Sequence, residues 1–336
     1  MKLEDKINEV KDILKDKKVA IGFSGGADST LIAYLASKVS NDVLAITIDN
    51  HLFPNDFLRH AQKMCEEFEI RHHIIDIDFY EDDEFLKNSP SRCYSCRNLM
   101  YEKIKSYALE NGFDFICDGN NISDLVIDRP GILITYKMEF NTPLIEARLT
   151  SKEIHEYLNR NNIHYSKSTT CLATRIPTDT PVTRDKIERI KRSEEILSNI
   201  SGRELVKVRD FNELAICELD SFSEIMNDRL FNEINDQIKS QGYKKVCLNL
   251  SPLDDDEDID IDYKNYAFKY QLPFTVNIEN TKNQLEENII FENEEKIQLE
   301  KIVINKNGLI EGYNFGNYTE ALNEFMSILT KIRRNV

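Results

Sequence analysis

The chain has 336 residues, of which 41% are hydrophobic and 30% charged, so it can bury a globular core and is long enough for two domains. Its formal net charge of −16 gives no overall attraction to polyanions and argues against a nucleic-acid substrate. No window approaches the roughly 18 unbroken apolar residues of a membrane span, and the charged, amphipathic N-terminus is unlike a signal peptide. Seven cysteines, an odd number, favour a cytoplasmic protein whose thiols stay reduced.

Helices and strands alternate over the first two hundred residues. Apolar residues at helical spacing predict a helix over 2–16. The segments that follow are, for strands, 19–23, 43–49, 72–78 and 113–118, and for helices 28–38, 55–69, 97–110, 132–139, 150–161 and 183–198. This order is typical of an α/β fold with a doubly wound parallel sheet, in which ligands bind at the carboxyl ends of the strands.

A smaller α+β C-terminal domain is predicted after Gly202. Its signals are two pairing strands, "ELVKVRDF" and "ELAICEL", then helical stretches over 221–240 and the strand "KKVCLNL". Seven acidic residues in the nine of 254–262 predict a solvated linker. The predicted organisation is a nucleotide-binding domain over 1–200, the start of a substrate-binding or oligomerisation domain over 201–253, the acidic linker, and an extension of unknown role over 263–336 that closes with a helix over 318–334.

The segment "SGGADS" (24–29), called the glycine loop below, joins the first strand to the next helix. Two glycines let the backbone turn tightly and point its N–H groups at an anion, and the helix N-terminus adds positive potential. Asp28 stands where it can cap the helix. The lysine of the common phosphate loop, G-x-x-x-x-G-K-S/T, is absent. The alternative is an ordinary glycine turn without a ligand, although this pattern is more specific than a lone G-x-G.

Five of these residues, Ser24, Gly25, Gly26, Asp28 and Ser29, resemble the PP-loop of the ATP pyrophosphatase superfamily. The resemblance implies that ATP is cleaved between its α and β phosphates and that a substrate oxygen is adenylated before a nitrogen or sulfur nucleophile displaces AMP. A departing pyrophosphate needs N–H donors and Mg²⁺ to take up its charge. No γ-phosphoryl group is transferred, so no lysine is needed to contact that group during its transfer.

Three cysteines stand apart from the others. Cys93 and Cys96 form a C-x-x-C pair, and Cys171 lies in "STTCLATRIP". A C-x-x-C alone is compatible with half a zinc site, a redox pair or coincidence, and no second pair completes a Cys₄ zinc site. The remaining four cysteines lie among apolar neighbours, which favours core positions: Cys65, Cys117, Cys217 and Cys247.

Over about residues 1–250 the chain is similar to one PP-loop subfamily, the ATP-dependent sacrificial sulfur transferases (LarE-type). The matching segments, in order, are "RCYSCR", "DGNNISD", "DRPGI", "TPLIEA" and "CLATRIP". That family thiolates the pyridinium mononucleotide precursor of the nickel-pincer cofactor. The resemblance makes Cys171 the sulfur site. Some members surrender the sulfur of this cysteine, whereas members with the C-x-x-C pair hold a 4Fe–4S cluster on three thiolates.

The presence of all three cysteines leads to the hypothesis that Cys93, Cys96 and Cys171 hold a 4Fe–4S cluster for repeated sulfur transfer. Three thiolates leave one iron without a protein ligand, a position that can carry an extra sulfide. Zinc on the same thiolates and a persulfide–disulfide pair remain alternatives.

Further polar residues are candidates for the site. Asp118, Asn120 and Asp124 follow the predicted strand 113–118, and Asp49 ends the strand 43–49, so ATP or Mg²⁺ contacts are expected there, with Asp49 as a plain surface acid the alternative. Arg175, four residues after Cys171, is a candidate to stabilise an anionic intermediate or a thiolate.

Lys207 and Arg209 alternate with valines, so both point to one face of a strand. In the LarE-type family a "V-R-V-R" segment stands at this position, and the resemblance implies that it binds the substrate phosphate. Lysine in place of the first arginine keeps the charge and loses bidentate geometry. An ordinary edge strand with outward polar residues is the alternative.

The predicted activity is therefore ATP-dependent sulfur transfer to a small, phosphate-bearing substrate, with sulfide or another sulfur donor and a possible homo-oligomer. After "VCLNL" the family's G-Y-R-x-G-S-type segment is missing, so another substrate with an adenylatable oxygen stays open. The alternatives are a tRNA-thiolating enzyme and a non-catalytic protein that binds ATP or a cluster. An amide-forming ligase leaves the three cysteines without a role.

Overall fold

A computed structural model describes residues 2–53, 57–167, 170–253 and 259–335. The first sheet has four parallel strands in the order β3-β2-β1-β4. The strands are β1 (Lys18–Gly22), β2 (Asp42–Asp49), β3 (Arg71–Asp76) and β4 (Phe115–Cys117). The α/β fold class with a parallel sheet, predicted from the alternation of elements, is confirmed.

Helices cover both faces of this sheet. They are α1 (Leu3–Leu14), α2 (Ala27–Val39), α3 (Phe57–Glu67), α4 (Asp83–Leu86), α5 (Arg92–Glu110), α6 (Ile132–Lys137), α7 (Pro143–Glu146), α8 (Ser151–Arg160) and α9 (Arg184–Ser201). Val19 and Ile21 of β1 pack with α1, α2 and α8, whereas Ala20 packs with α5 on the opposite face. Successive strand residues point to opposite faces, so every second residue of β1 reaches the same core.

Helix α5 begins at Arg92, five residues before the predicted start at residue 97. The segment "RCYSC" has no apolar periodicity, so the spacing of apolar residues did not reveal this first turn. As a consequence Cys93 and Cys96 lie three residues apart on a helix, which places their side chains on one side of it.

A second sheet has the order β5-β6-β7 and packs against two helices. It contains β5 (Val206–Phe211), β6 (Leu214–Leu219) and β7 (Lys245–Leu248), with α10 (Asp228–Lys239) between β6 and β7. The predicted pairing of the first two strands is confirmed, and it is antiparallel. Cys65, Cys117 and Cys217 are buried as expected, but Cys247 on the edge strand β7 is exposed, so its predicted core position is wrong.

The third sheet is antiparallel, in the order β10-β11-β12-β13-β9-β8. Its elements are β8 (Asp262–Lys264), β9 (Ala267–Gln271), α11 (Ile278–Lys282), β10 (Phe291–Glu292), β11 (Lys296–Gln298), β12 (Ile302–Asn305), β13 (Leu309–Tyr313) and α12 (Tyr318–Leu329). These strands have two to five residues each, which explains their weak signals in the sequence.

The predicted acidic linker lies outside the described residues except for 259–262. Within that remainder, Ile259 and Ile261 are buried in the core of the third sheet and Asp262 begins β8. Among the helices of the described residues, none has the length and apolar character that crossing a membrane requires.

Candidate active site

The glycine loop joins β1 to α2 and is held by its own serines. Ser24 Oγ accepts a hydrogen bond from Gly26 N (3.3 Å) and lies 3.2 Å from Ser29 Oγ. Gly25 has a φ of +69°, which favours glycine. The loop after β4 passes so close that a Cβ on Gly119 would lie 2.9 Å from Ser29 N. The first turn of α2 thus faces a site where an anion can accept hydrogen bonds from the backbone N–H groups of that turn.

Two carboxylates lie beside this turn. Asp28 Oδ1 accepts a hydrogen bond from Asn121 Nδ2 (3.0 Å), and Asp124 is bound by the Asn121 backbone N–H (3.0 Å) and by the Arg129 guanidinium. Burial, and then the negative charge of Asp124, raise the pKa of Asp28 to about 7. A pair of repelling carboxylates next to a phosphate-binding loop is the chemistry that suits Mg²⁺.

Asp118 is engaged in a different way. It accepts hydrogen bonds from Tyr101 Oη (2.7 Å), Thr135 Oγ1 (2.8 Å), Arg97 Nη2 (3.3 Å) and the Asn120 backbone N–H (3.0 Å). Three of these donors bind Oδ2 and one binds Oδ1, so Asp118 orients the polar side chains around it.

Asn120 belongs to the same network. Its Oδ1 accepts from Arg97 Nη2 (3.0 Å) and its Nδ2 donates to Thr135 Oγ1 (2.9 Å). A Cβ on Gly131 would lie 2.9 Å from Arg97 Cδ, so the glycine of "DRPG" leaves room for the arginine. Asn120 thereby helps to hold the Arg97 guanidinium at the edge of the cavity described next.

A cavity of about 1050 Å³ joins these groups. Its wall includes residues of the glycine loop, Asp28 and Asp124, and it extends to Thr170, Lys207 of β5 and Tyr270 of β9. Small-molecule pockets typically have volumes of about 300–1,000 Å³. The cavity is therefore large enough for a nucleotide together with a second ligand.

Asp49 is not among the described residues that line this cavity. It lies with His51 and Asp76, and His51 Nε2 is 2.9 Å from Asp76 Oδ2. Among the described residues, these three form the one group of potential metal ligands whose atoms all lie within 4.8 Å of one another. The structure thus separates Asp49 from the other candidates for ATP contacts.

The three cysteines come from two segments that Arg92 connects. Arg92 Nη1 donates to the carbonyl of Ala173 (2.9 Å), and Nη2 lies 3.5 Å from Cys93 Sγ. Cys96 and Cys171 both pack against one apolar cluster that contains Leu52 and Phe79, among others. The structure therefore brings the C-x-x-C pair and the "CLATRIP" segment into one neighbourhood.

The thiols also interact electrostatically. Burial raises the pKa of Cys96, and the nearby Cys171 and Cys93 raise it further. Burial raises the pKa of Cys171 as well, whereas a hydrogen bond from the Ala173 backbone and the positive charge of Arg92 act in the opposite direction. Thiolates held here would consequently gain from binding a metal cation.

Arg175 is buried, and its charge is paired. Its Nε donates to Glu194 Oε1 (2.7 Å) and its Nη1 to Thr170 Oγ1 (2.9 Å). Glu194 also accepts the backbone N–H of Val208 in β5 (3.0 Å). Arg175 thus connects the segment after Cys171 to α9 and β5, and its Nη2 is buried with no hydrogen-bond partner among the described residues.

Lys207 and Arg209 point to one face of β5 and alternate with the buried Val206, Val208 and Asp210. Lys207 lines the large cavity. Arg209 instead pairs with Glu218 through its Nε (3.0 Å) and is not among the described cavity residues. The two cations of this strand are therefore in different environments.

Sequence reasoning did not single out three further residues of the site. Arg97 directly follows the C-x-x-C pair and Asn121 lies in "DGNN", so neighbouring motifs signalled their region. Tyr270 comes from the unassigned extension and has no signal of its own in the sequence.

Comparisons with known proteins give some matches that cover most of this chain and others that cover a smaller part of it. A family model described as NAD synthase matches residues 1–91. An uncharacterised protein of Methanocaldococcus jannaschii is 31% identical over 245 residues, which cover 72% of this chain and 93% of that protein. The pyridinium-3,5-bisthiocarboxylic acid mononucleotide synthase of Lactiplantibacillus plantarum is 28% identical over 243 residues, covering 70% and 87%. A tRNA-specific 2-thiouridylase of Clostridium tetani is 26% identical over 146 residues, covering 37% and 39%.

Proposed function

The chain belongs to the PP-loop ATP pyrophosphatase superfamily and to its LarE-type family of ATP-dependent sulfur transferases, and we propose that it thiolates a pyridinium mononucleotide. The similarity to the synthase of Lactiplantibacillus plantarum supports this substrate. The product that names that synthase carries two thiocarboxylates, so the matching substrate is the dicarboxylate form of the same mononucleotide.

The observation that carries the proposal is the large cavity. Its wall runs from the glycine loop and the Asp28–Asp124 pair to Thr170, the neighbour of Cys171. An adenylated carboxylate formed at the loop would thus stand in the same cavity as the segment that bears the sulfur site. Holding both reactants in one enclosure converts a bimolecular encounter into an effectively unimolecular step.

In the activation step, a carboxylate oxygen of the substrate attacks the α-phosphorus of ATP. The bond between that phosphorus and the bridging oxygen breaks, and pyrophosphate leaves with the electron pair. The N–H groups of the glycine loop donate hydrogen bonds to the oxygens of the leaving pyrophosphate and thereby stabilise its negative charge. Asp28 and Asp124 would hold Mg²⁺, which would supply positive charge to the phosphates.

In the second step, a sulfide nucleophile from inorganic sulfide or another donor attacks the carbonyl carbon. A carbon–sulfur bond forms, the carbon–oxygen bond to AMP breaks, and AMP leaves with the electron pair. The product is a thiocarboxylate.

We propose a 4Fe–4S cluster on the three cysteines rather than one zinc ion. Three thiolates on a single tetrahedral zinc would lie about 3.8 Å apart. Among the described residues, the sulfurs of Cys93, Cys96 and Cys171 are not a group whose atoms all lie within 4.8 Å of one another. A cluster binds each thiolate to a different iron and therefore needs wider spacing.

When bound, such a cluster would supply sulfide from an iron that has no protein ligand. The residues of this chain would hold the cluster and shield it from water. Arg92 and Arg175 bring positive charge towards the thiolate of Cys171, and the apolar cluster around Leu52 and Phe79 limits access of water. Lower exposure and favourable charge are the properties with which proteins adjust such clusters.

Lys207 is proposed to bind the substrate phosphate at the cavity wall. Arg209 is proposed to assist, but its guanidinium first has to exchange Glu218 for the phosphate. A phosphate carries more charge than a carboxylate and accepts several charge-assisted hydrogen bonds, so it competes well for an arginine.

A tRNA-thiolating activity is the second candidate, and the similarity to the thiouridylase of Clostridium tetani supports it. That match covers 37% of this chain, and the net charge of −16 does not favour RNA binding. A protein that binds ATP or a cluster without turnover would release neither AMP nor pyrophosphate.

The test is anaerobic purification and reconstitution with iron and sulfide, followed by incubation with ATP, Mg²⁺ and the dicarboxylate mononucleotide. We expect a brown protein with about four irons per chain, AMP and pyrophosphate as products, and thiocarboxylate by mass spectrometry. Single substitutions Cys93→Ala, Cys96→Ala and Cys171→Ala should remove both the iron and repeated turnover. Cys247→Ala, which removes an exposed thiol outside this group, is the matched control.

A colourless, zinc-loaded protein with full transfer activity would contradict the cluster. Repeated turnover in Cys93→Ala would contradict it too, whereas a single turnover in wild type with loss of the Cys171 sulfur would indicate the sacrificial mechanism. Thiolated tRNA nucleosides that disappear on deletion of the gene would favour the second candidate.

A further inference from the structure

Two of the alignments with relatives leave nearly three tenths of this chain unmatched. The alignments cover 93% and 87% of two of them but only 72% and 70% of this chain. The third sheet with its helices, residues 259–335, is called the C-terminal unit here. Its apolar core includes Phe268, Phe315 and Phe325, all fully buried. It thus has the packing of a folded element rather than of a tail.

The C-terminal unit packs against the segment that carries Asp124. Ile122, Leu125 and Ile132 share one apolar core with the unit. At the edge, Arg334 Nη2 donates to Asp128 Oδ1 (2.6 Å), and the Arg333 guanidinium lies 4.0 Å from the centre of the Tyr136 ring. Residues 122–136 are therefore fixed between the nucleotide-binding sheet and this unit.

Among the described residues of the C-terminal unit, Tyr270 is the one that lines the large cavity. Its ring packs against Phe325 of α12, with centroids 4.7 Å apart. Aromatic contacts at this distance favour one orientation of the ring. Tyr270 consequently reaches the cavity as an oriented ring backed by the core of the unit.

The cavity also contains cationic side chains that are not part of the glycine loop. Arg129 and Lys207 both line it, as does Leu205 beside β5. Together with the ring of Tyr270, these residues offer one aromatic surface, one apolar contact and two cationic groups, of which Arg129 is paired with Asp124. That combination suits an anionic molecule that contains a planar ring.

We propose that the C-terminal unit is a substrate-selecting wall of the cavity and that Tyr270 contacts the ring of the substrate that is thiolated, as distinct from ATP. The assignment rests on the proposed function for the identity of that substrate. It gives the C-terminal unit a role in binding, and it makes Tyr270 a specificity-determining residue for an anionic ring compound.

The test measures binding as well as turnover. Isothermal titration gives the Kd of the dicarboxylate pyridinium mononucleotide for the full-length protein with Mg²⁺ and α,β-methylene-ATP present, and the Kd of that ATP analogue alone. We expect Tyr270→Ala to weaken binding of the mononucleotide about tenfold, with the analogue bound within about twofold of wild type. Tyr270→Phe keeps the ring and should stay close to wild type. Tyr313→Ala, at an exposed tyrosine on β13 of the same unit, is the matched control.

An unchanged Kd of the mononucleotide in Tyr270→Ala would overturn the proposed role of the C-terminal unit in substrate binding. An equal loss in Tyr313→Ala, or a parallel loss of the ATP analogue, would overturn it as well, because a structural defect would then explain the effect. Wild type that binds the mononucleotide but releases no AMP would contradict the proposed function while the binding comparison still decides on Tyr270. If the wild-type protein does not bind the mononucleotide, the class of substrate proposed for this cavity is wrong.

Discussion

Two regions of the molecule perform the two halves of the proposed reaction, and they are built differently. The nucleotide end consists of the glycine loop with Asp28 and Asp124. The sulfur end consists of Cys93, Cys96 and Cys171. Most contacts at the nucleotide end lie within the loop or between segments that follow neighbouring strands of one sheet. At the sulfur end, two segments far apart in the chain meet through side chains.

Both ends depend on contacts between residues far apart in the chain, but the sulfur end depends on them entirely. Arg92 and Asn88 hold the segment after Cys171: Arg92 binds the Ala173 carbonyl, and Asn88 Nδ2 donates to the carbonyls of Pro177 and Thr180 (both 2.8 Å). Both side chains are buried, so water cannot replace these bonds. The turn of the glycine loop is encoded locally, whereas the contact of Asp28 with Asn121, 93 residues away in the chain, and the whole sulfur end exist only when the tertiary fold is complete.

The largest expected effect separates the two ends. Cys171→Ala should lower sulfur transfer at least about 1,000-fold, since the proposed sulfur site loses its thiolate. Binding of the ATP analogue should stay within about twofold of wild type, because Cys171 is not among the described residues that line the cavity beside the glycine loop. Mass spectrometry of the thiolated product and titration of the analogue measure the two quantities. Equal losses of both would show that the ends are not independent.

The next effect concerns the nucleotide end. Asp28→Asn should slow AMP formation about 100-fold, because one charge opposite the phosphates and Mg²⁺ disappears. The pKa of Asp28 is about 7, so in wild type a proton competes with Mg²⁺ below that pH and Mg²⁺ affinity should rise from pH 6 to pH 8. Titration with Mg²⁺ at several pH values checks this, and Asp28→Asn should abolish the dependence. A pH-independent affinity in wild type would contradict the assignment of Asp28.

The same carboxyl predicts a stability change of known sign. Its pKa is raised from 3.8 to about 7 in the folded protein, so the folded state binds more protons than the unfolded state between these pH values, and stability falls as pH rises through them. Without Mg²⁺, Asp28→Asn should therefore raise Tm more at pH 8 than at pH 5. A larger gain at pH 5 would mean that the aspartate is not destabilised by burial.

A smaller effect tests the long-range contact of the sulfur end. Arg92→Ala should lower the free energy of unfolding by about 2–3 kcal/mol, because the buried Ala173 carbonyl and Asn88 lose a charged donor. Iron retained after reconstitution should fall with it. Arg160→Ala, which breaks an exposed pair with Glu4, is the control and should cost about 0.5 kcal/mol or less. Chemical denaturation measures both, and similar values would refute the special role of Arg92.

The smallest effect lies at the edge of the C-terminal unit. Asp128→Asn removes the partner of Arg334, but 64% of the Asp128 side chain is exposed, so the pair should contribute at most about 1 kcal/mol. The apolar core shared by Ile122, Leu125 and the unit should hold the interface instead. Denaturation at low and high salt measures the contribution. A loss of several kcal/mol would show that the ion pair, and not the shared core, attaches the unit.

Much of the nucleotide end could be predicted from the sequence because its signals are local. Glycines at fixed positions, serines beside them and a strand before a helix specify a turn that any parallel sheet places at its carboxyl edge. The alternation of helices and strands gave the fold class for the same reason. The short strands of the C-terminal unit gave weak signals, since two to five residues are too few to show a period.

Residue types alone marked the candidates of the site, but their roles depend on neighbours that spacing does not reveal. The sequence shows that Asp118, Arg175 and Arg209 are charged, and the fold pairs each of them with a partner of its own. Side chains far apart in the chain meet only after the core closes, because burial sets which polar groups must find each other. That the sequence carries a nucleotide loop and three cysteines was therefore determined locally. That Arg92 joins the cysteines, and that Tyr270 reaches the cavity, was decided by tertiary packing.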